Sequence, residues 1–418
     1  MLLEHATLAD RSHVDVRVRD DVIAEIGPSE TLDGIDGEER LDLDGYVLLP
    51  APAEPHAHLD KAYTAGRFSI TAGDLLEAIA AWDGHRRELG PADIAARARF
   101  ALSAGLVRGT TAVRSHIDVG EGIGLRGAET LVKLREELRD TLDVQVAALC
   151  FPLTGPGGPT NVSRLRETLE LGVDVVGGAP HIDPNPRRHI EICLEIAGEY
   201  GRPVDLHMDE HLDPARLDLV DLASIAQGFP NRVTASHAVS LVMQPLERQR
   251  QVAAALAGAA VAVVTLPLTN LYLLGRDQRT ATPRALTAVR TLLEEGVTVA
   301  AGGDNVQDVF NPIGSGDPLE TAYLLVAAAH VDCATAYQLV ASSARTVLGL
   351  PTITIEPGSP ADLLAVAGDS LREVIATRSE QRIVIHAGRV LSRTRTIRDD
   401  GAAAAPIVPA PAPTQETV

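Results

Sequence analysis

Four apolar runs in this 418-residue chain each lead into a side chain that can hold a metal ion or carry a proton. The first, Gly45-Tyr46-Val47-Leu48-Leu49-Pro50, is followed closely by Pro55-His56-Ala57-His58-Leu59-Asp60-Lys61. Side chains on a strand alternate with period two, so His56 and His58 share a face and can reach one ion. Val204-Asp205-Leu206 ends in His207, Thr234-Ala235-Ser236 in His237, and Val297 to Gly303 in Asp304. All four place a potential ligand or proton carrier where a strand gives way to a loop.

Residues 49–348 alternate such runs with amphipathic segments, the pattern of βα units around a parallel sheet. Leu131 to Leu138 has helical spacing and is followed by a buried strand, Val144 to Phe151. The same succession predicts a helix over 161–171 before Val173 to Val176, and one from Ile190 to Tyr200 before Val204. It also predicts Leu246 to Ala257 before Val261 to Thr265, and Arg284 to Glu295 before Val297 to Ala301. About eight units fit, which gives an α/β fold, a (β/α)8 TIM-like barrel. In that fold the carboxyl ends of the strands build the active site, and His56, His58, His207, His237 and Asp304 all fall there. Residues 1–48 and 349–400 read instead as short alternating strands, such as Val14 to Val18, Val22 to Pro28, Ala361 to Val366 and Arg382 to Leu391. They suggest one small β-sandwich domain formed from both chain ends. The Ala/Pro-rich tail, 401–418, has no periodicity and reads as disordered.

Imidazoles and a carboxylate with no cysteine among them describe a hydrolytic rather than a structural metal centre. The order His56-x-His58, His207, His237, Asp304 resembles the amidohydrolase superfamily. The text around it is similar to the cytosine deaminase and N-isopropylammelide hydrolase branch: Glu54 to Asp60, Asp205 to Glu210, Val233 to His237 and Asn270 to Arg276. The resemblance spans nearly the whole chain. It implies one divalent ion per chain, Zn²⁺ or Fe²⁺, held by His56, His58, His207 and Asp304. It also implies that Glu210 carries a proton to a substrate ring nitrogen, that His237 orients the attacking water, and that Asp304 passes a proton to the leaving amine. Binuclear members carry a carboxylated lysine near the middle of the barrel. This chain has only two lysines, Lys61 and Lys133, and neither lies near Val173 to His181.

Lys61, His116, His181, Leu153 and Asn305 are the candidates for substrate contact. His116 and His181 also end apolar runs, and each reads equally well as a satisfied histidine behind the site. His211, beside Glu210, reads as an exposed loop residue. Two positions depart from cytosine deaminases: Leu153 stands where they have a glutamine that reads the base, and Asn305 replaces a second aspartate after the metal-binding one. Gly155-Pro156-Gly157-Gly158-Pro159 lacks the Lys-Ser/Thr ending of a phosphate loop and reads as a mobile loop near the pocket.

Charge narrows the partners. With 37 Lys and Arg against 57 Asp and Glu the net charge is −20, which disfavours nucleic acid and anionic membranes. No apolar stretch reaches a membrane span, and Met1 to His5 does not open a signal peptide, so a cytoplasmic protein is expected. Cys150, Cys193 and Cys333 read as reduced, buried thiols. The expected partner is a small heterocyclic substrate, and family habit suggests a homo-oligomer. Three function classes compete: deamination of an amino- or imino-substituted nitrogen heterocycle, hydrolysis of a ring amide or N-substituted amine, and a barrel that has lost catalysis. Glu210 favours the first, because deamination needs a group that protonates the ring nitrogen.

Overall fold

The computed structural model describes residues 1–68 and 73–397, so the tail expected at 401–418 lies outside the described residues. The chain opens with β1 (Leu2–Thr7), β2 (His13–Arg19), β3 (Val22–Pro28), β4 (Arg40–Asp42) and β5 (Tyr46–Pro50). Eight parallel strands follow: β6 (Ala53–Ala57), β7 (Ala112–Val119), β8 (Asp143–Cys150), β9 (Val175–Gly178), β10 (Val204–Met208), β11 (Val233–His237), β12 (Val261–Thr265) and β13 (Val299–Ala301). They neighbour one another in chain order as a (β/α)8 barrel. The last three, β14 (Leu363–Ala367), β15 (Arg382–His386) and β16 (Arg389–Arg393), return to the first group. There β14 runs antiparallel to β5, pairing Leu363 with Pro50 through Ala367 with Tyr46. Both chain ends thus build one sheet, in the order β16-β15-β14-β5-β1-β2-β3 with β4 beside β1.

The barrel strands are apolar because helices cover one face and the barrel interior the other, so polar alternation has no solvent to serve. Val233 to His237 is buried throughout. The crossovers carry α1 (Leu75–His85) and α2 (Pro91–Val107), then α3 (Arg126–Leu138), α4 (Gly158–Glu170), α5 (Pro186–Tyr200), α6 (Leu219–Ile225) and α7 (Leu246–Gly258). The last are α8 (Pro267–Leu273) and α9 (Val289–Glu294). α3 buries Ala128, Leu131 and Leu134 and turns its charged residues outward. α5 shows why such segments stop and start: the Asn185 side chain accepts from the Arg188 N–H, Pro186 sits in the first turn, and Gly201 closes the helix at φ +63°. Among the described residues no helix is long and apolar enough to cross a membrane.

Some expectations need correction. Tyr46 to Pro50 does not feed the His-x-His motif: it is β5 of the terminal sheet, a boundary at 48/49 would cut it, and His56 stands on a separate strand. The helix expected from Arg284 begins only at Val289. Ala285 sits at φ +51°, and the Thr287 hydroxyl donates to the His237 carbonyl at 2.6 Å, so this stretch braces the site instead of coiling. Gly155 to Pro159 is the turn into α4, where a Cβ on Gly158 would lie 2.4 Å from the Leu153 carbonyl oxygen. Arg382 to Leu391 is a hairpin that turns at Ala387-Gly388.

The barrel closes between β6 and β13 by little backbone pairing. A single bridge joins Ala57 to Asp304, and the Asp304 N–H donates to the His56 carbonyl at 3.1 Å. The Glu54 carboxylate reinforces the joint by accepting from the N–H groups of Gly303 (2.7 Å) and His56 (3.0 Å).

Candidate metal centre and pocket

At the carboxyl end of the barrel, four ligand atoms from three places in the sequence converge. His56 Nε2 lies 3.1 Å from His207 Nε2, which lies 3.2 Å from His58 Nε2; Asp304 Oδ1 is 3.3 Å from His58 Nε2 and 3.8 Å from His56 Nε2. Atoms about 2.0–2.1 Å from a shared centre at tetrahedral angles lie roughly 3.3 Å apart, so these spacings suit one ion. The group is costly without one. Neither Asp304 oxygen has a hydrogen-bond partner, and burial pushes that carboxyl well above its usual range. Burial likewise holds His56, His58 and His207 well below the usual imidazole range, keeping them neutral as ligands must be.

Each ring is oriented from behind. His58 Nδ1 donates to the His116 carbonyl at 3.1 Å, which leaves its Nε2 lone pair facing the cluster. His56 Nδ1 bonds the Ser236 hydroxyl at 2.9 Å, and that hydroxyl donates to Asp205 Oδ1 at 2.7 Å. Arg114 clamps the other Asp205 oxygen at 2.8 Å. His56, His116 and Asp205 also lie close enough to share an ion, but the Arg114 guanidinium already occupies that carboxylate. His237 Nδ1 accepts from Asn270 Nδ2 at 3.0 Å, so its ring proton sits on Nε2, which has no partner. Glu210 Oε1 lies 3.4 Å from His237 Nδ1, and burial pushes its carboxyl up to about 8. Asp209, His237, Ala238 and Asp304 all adopt left-handed backbone angles, strain of the kind stored at functional sites.

The cluster floors a pocket with apolar walls that include Ile79, Trp82, Phe151 and Phe310. Lys61, Asp118, His181, Glu210 and Asn305 supply its polar groups. Lys61 Nζ donates to Asp118 Oδ1 at 2.7 Å, and Trp82 Nε1 donates to the other Asp118 oxygen. Although burial opposes it, Asp118 and Asp60 raise the Lys61 pKa and keep the ammonium charged.

The sequence candidates for substrate contact divide. Lys61, His181 and Asn305 line the cavity, and His181 is anchored by its Nδ1 on the His207 carbonyl at 2.9 Å. His116 does not: it stacks on His56 at 3.9 Å between ring centroids, with Nε2 3.3 Å from Asp205 Oδ2. Leu153 is a correction. Its N–H donates to Asp183 at 2.7 Å, and its side chain is buried in the apolar core instead of lining the cavity. Phe151 takes the place at the cavity wall. His211 is half-buried rather than exposed. Asn305 is less versatile than its amide suggests, because its Nδ2 is committed to Asp308 Oδ2 at 2.7 Å. Asp118, Trp82, Asp205, Ser236 and Asn270 were missed. Polar residues two apart on buried strands, as in Arg114-Ser115-His116-Ile117-Asp118 and Asp205-Leu206-His207, carry the signal that could have found two of them.

A (β/α)8 barrel with an open cluster of three histidines and a carboxylate at the carboxyl ends of its strands defines a metal-dependent hydrolase. Residues 91–392 match the Amidohydrolase family, and the chain belongs to that family, as a hydrolase of carbon-nitrogen bonds. It is similar to the pterin deaminase of Rhizobium rhizogenes strain K84, 30% identical over 391 residues that cover 91% of this chain and 88% of that one. The 5-methylcytosine deaminase of Klebsiella pneumoniae, in complex with phosphonocytosine, superposes with a TM-score of 0.87 at 26% identity, covering 96% of this chain and all of that one. N-isopropylammelide isopropylaminohydrolase of Burkholderia multivorans gives 0.80 at 28% identity over 94% and 98% of the two chains.

Proposed function

We propose that this protein is a hydrolytic deaminase of an amino- or imino-substituted nitrogen heterocycle other than cytosine. It would use one Zn²⁺ or Fe²⁺ held by His56, His58, His207 and Asp304. The observation that carries the reading is the Glu210 carboxyl, buried 3.4 Å from His237 Nδ1, where burial pushes its pKa up to about 8. Deamination must protonate a ring nitrogen as water adds, and Glu210 is the group placed to do so.

When bound, the ion lowers the pKa of its water from 15.7 to about 7. Glu210 delivers its proton to the ring nitrogen beside the amidine carbon. The Nε2–H of His237 donates toward the attacking oxygen and fixes its approach. Asp304, whose oxygens have no other donor, accepts the water's proton and returns it to the leaving amine. Trp82, Phe151 and Phe310 exclude solvent and hold a flat ring between them.

The likeness to a pterin deaminase and a 5-methylcytosine deaminase supports this reading. The likeness to N-isopropylammelide isopropylaminohydrolase supports a second one, release of an N-alkylamine from the same ring carbon. Metal-replete enzyme assayed on pyrimidines, triazines, pterins and cyclic guanidines separates them: ammonia release supports deamination, while alkylamine or ring-opened product overturns it. A cytoplasmic homo-oligomer, with the sheet built from both chain ends as a unit apart from the barrel, completes the proposal. Light scattering tests its oligomeric part.

A further inference from the structure

The two flanks of the metal centre differ in chemistry. On one stand His237 and Glu210, 3.4 Å apart. On the other, beyond His58, stands Lys61, its Nζ 3.4 Å from His58 Nδ1. His207 lies between, with ring centroids 5.3 Å from His58 and 5.0 Å from His237.

Lys61 is 3% exposed, yet its ammonium is incompletely used. One proton goes to Asp118. Asp60 Oδ1 pairs with the ammonium as an ion at 3.6 Å but lies beyond hydrogen-bond reach. His58 Nδ1 already donates to the His116 carbonyl and accepts nothing from Lys61. Buried donors are normally satisfied, so the remaining N–H groups of this cavity-lining side chain call for an acceptor supplied from the cavity. Asn305 lines the same cavity. Its loop is sewn to the Lys61 loop, since the N–H groups of Tyr63 and Ala65 donate to the carbonyls of Val306 and Gln307. An amide facing a carboxylate must present its NH₂, so the bond to Asp308 fixes the orientation of the Asn305 amide and leaves Oδ1 as its free acceptor for a ligand.

We propose that Lys61 and Asn305 together read a lactam: the ammonium donates to a ring carbonyl, and Asn305 Oδ1 accepts from the ring N–H beside it. The substrate class is then a cyclic acylguanidine, a 2-amino-4-oxo heterocycle, bound with its lactam on the flank away from Glu210. This rests on the deaminase reading and gives it a direction. In such a ring the amidine carbon has a bare nitrogen on one side, for Glu210, and N–H followed by C=O on the other. In cytosine the nitrogen to be protonated and the carbonyl lie on the same side of the reacting carbon. The other side offers only C–H, and Lys61 and Asn305 would stay unpaired. Overall, water forms a C–O bond at the amidine carbon and the exocyclic C–N bond breaks. The amine leaves as ammonia with a proton from water, and a 2,4-dioxo ring remains.

The test is calorimetric binding to metal-replete Glu210→Gln enzyme, in which turnover is slow, using pterin, 2-aminopteridine (no oxo group) and 3-methylpterin (no lactam N–H). Pterin should bind on the order of 10-fold to 10²-fold more tightly than either analogue, because 3-methylpterin leaves Asn305 unpaired and 2-aminopteridine, whose aromatic ring nitrogen there carries no hydrogen, leaves both Lys61 and Asn305 unpaired. Adding Lys61→Met should narrow the preference over 2-aminopteridine to the share that Asn305 supplies, and adding Asn305→Leu should abolish the preference over 3-methylpterin, with analogue binding little changed. Equal binding of all three ligands in the Glu210→Gln pocket overturns the proposal whether or not the further variants fold. So do variants that weaken every ligand alike. Ammonia release by the unmutated enzyme is scored separately: its absence with the preference intact removes the deaminase reading, and its presence without the preference removes the lactam reader alone.

Discussion

The Ser236 hydroxyl stands 2.9 Å from His56 Nδ1 and donates its own proton to Asp205 at 2.7 Å. That arrangement makes His56 Nδ1 the donor, so Nε2 must offer its lone pair to the cluster. Groups that orient a ligating imidazole are commonly worth 10-fold to 100-fold in metal affinity. Ser236→Ala should therefore weaken metal binding by about that factor, read by competition with a chelator of known affinity. Unchanged affinity would show that the hydroxyl is only filling space.

Removing a ligand should do more. His207→Ala should lose its ion by elemental analysis, against about one divalent ion per chain in the unmutated protein. Two ions per chain would end the single-metal reading.

Glu210→Gln should keep the ion and lose on the order of 10²–10⁴ in kcat, the usual contribution of a positioned acid. Burial raises the Glu210 pKa to about 8, so its proton is present below that pH and gone above it. Activity of the unmutated enzyme should accordingly fall as pH rises through about 8, and the residual activity of the variant should lack that limb. Near-normal turnover in Glu210→Gln would remove the residue from the mechanism.

Cytosine should be a poor substrate. Phe151 offers its edge no hydrogen bond, and each unpaired buried group costs about 1–3 kcal/mol. A kcat/KM for cytosine of about 10⁵ M⁻¹s⁻¹ or more would contradict this.

A stability prediction concerns the contact between terminal sheet and barrel. Arg382, fully buried on β15, donates to both oxygens of Asp317 at 2.8 and 2.7 Å and to the Arg108 carbonyl at 2.8 Å. Arg382→Met leaves the buried Asp317 carboxylate without its cation, with only the Leu319 N–H still donating to it at 3.0 Å, and should cost about 3–5 kcal/mol in urea unfolding. A loss below about 1 kcal/mol would mean that water reaches Asp317.

The strand-end residues were legible because a buried parallel strand tolerates few polar side chains, and those it carries at its carboxyl end stand out. His56, His58, His207 and Asp304 fall within a few ångströms of one another for that reason. Ser236 and Asn270 were not legible, since a serine or asparagine in a buried run looks the same whether it turns a histidine or satisfies the backbone. Leu153 was misplaced for a different reason. Counting from a strand end gives sequence distance but not the direction of the turn, which Asp183 sets from thirty residues away. The first turns of the helix expected at Arg284 had the right composition, but a hydrogen bond from Thr287 to the site outweighed helical propensity.

The thin joint between β6 and β13 gives the centre a second character. His56 belongs to the first barrel strand and Asp304 follows the last, so anything gripped by both works as a buckle on the ring. The Glu54 carboxylate and the Gly303 N–H it holds are 249 positions apart along the chain, and bringing such distant segments together carries a loop-closure entropy that local pairing here does little to offset. Filling the centre and fastening the barrel become one event. A chelated enzyme should first loosen at Ala53–Ala57 and Val299–Ala301, seen as faster amide exchange there than in the middle strands, so that a molecule without its ion is at once inactive and ajar.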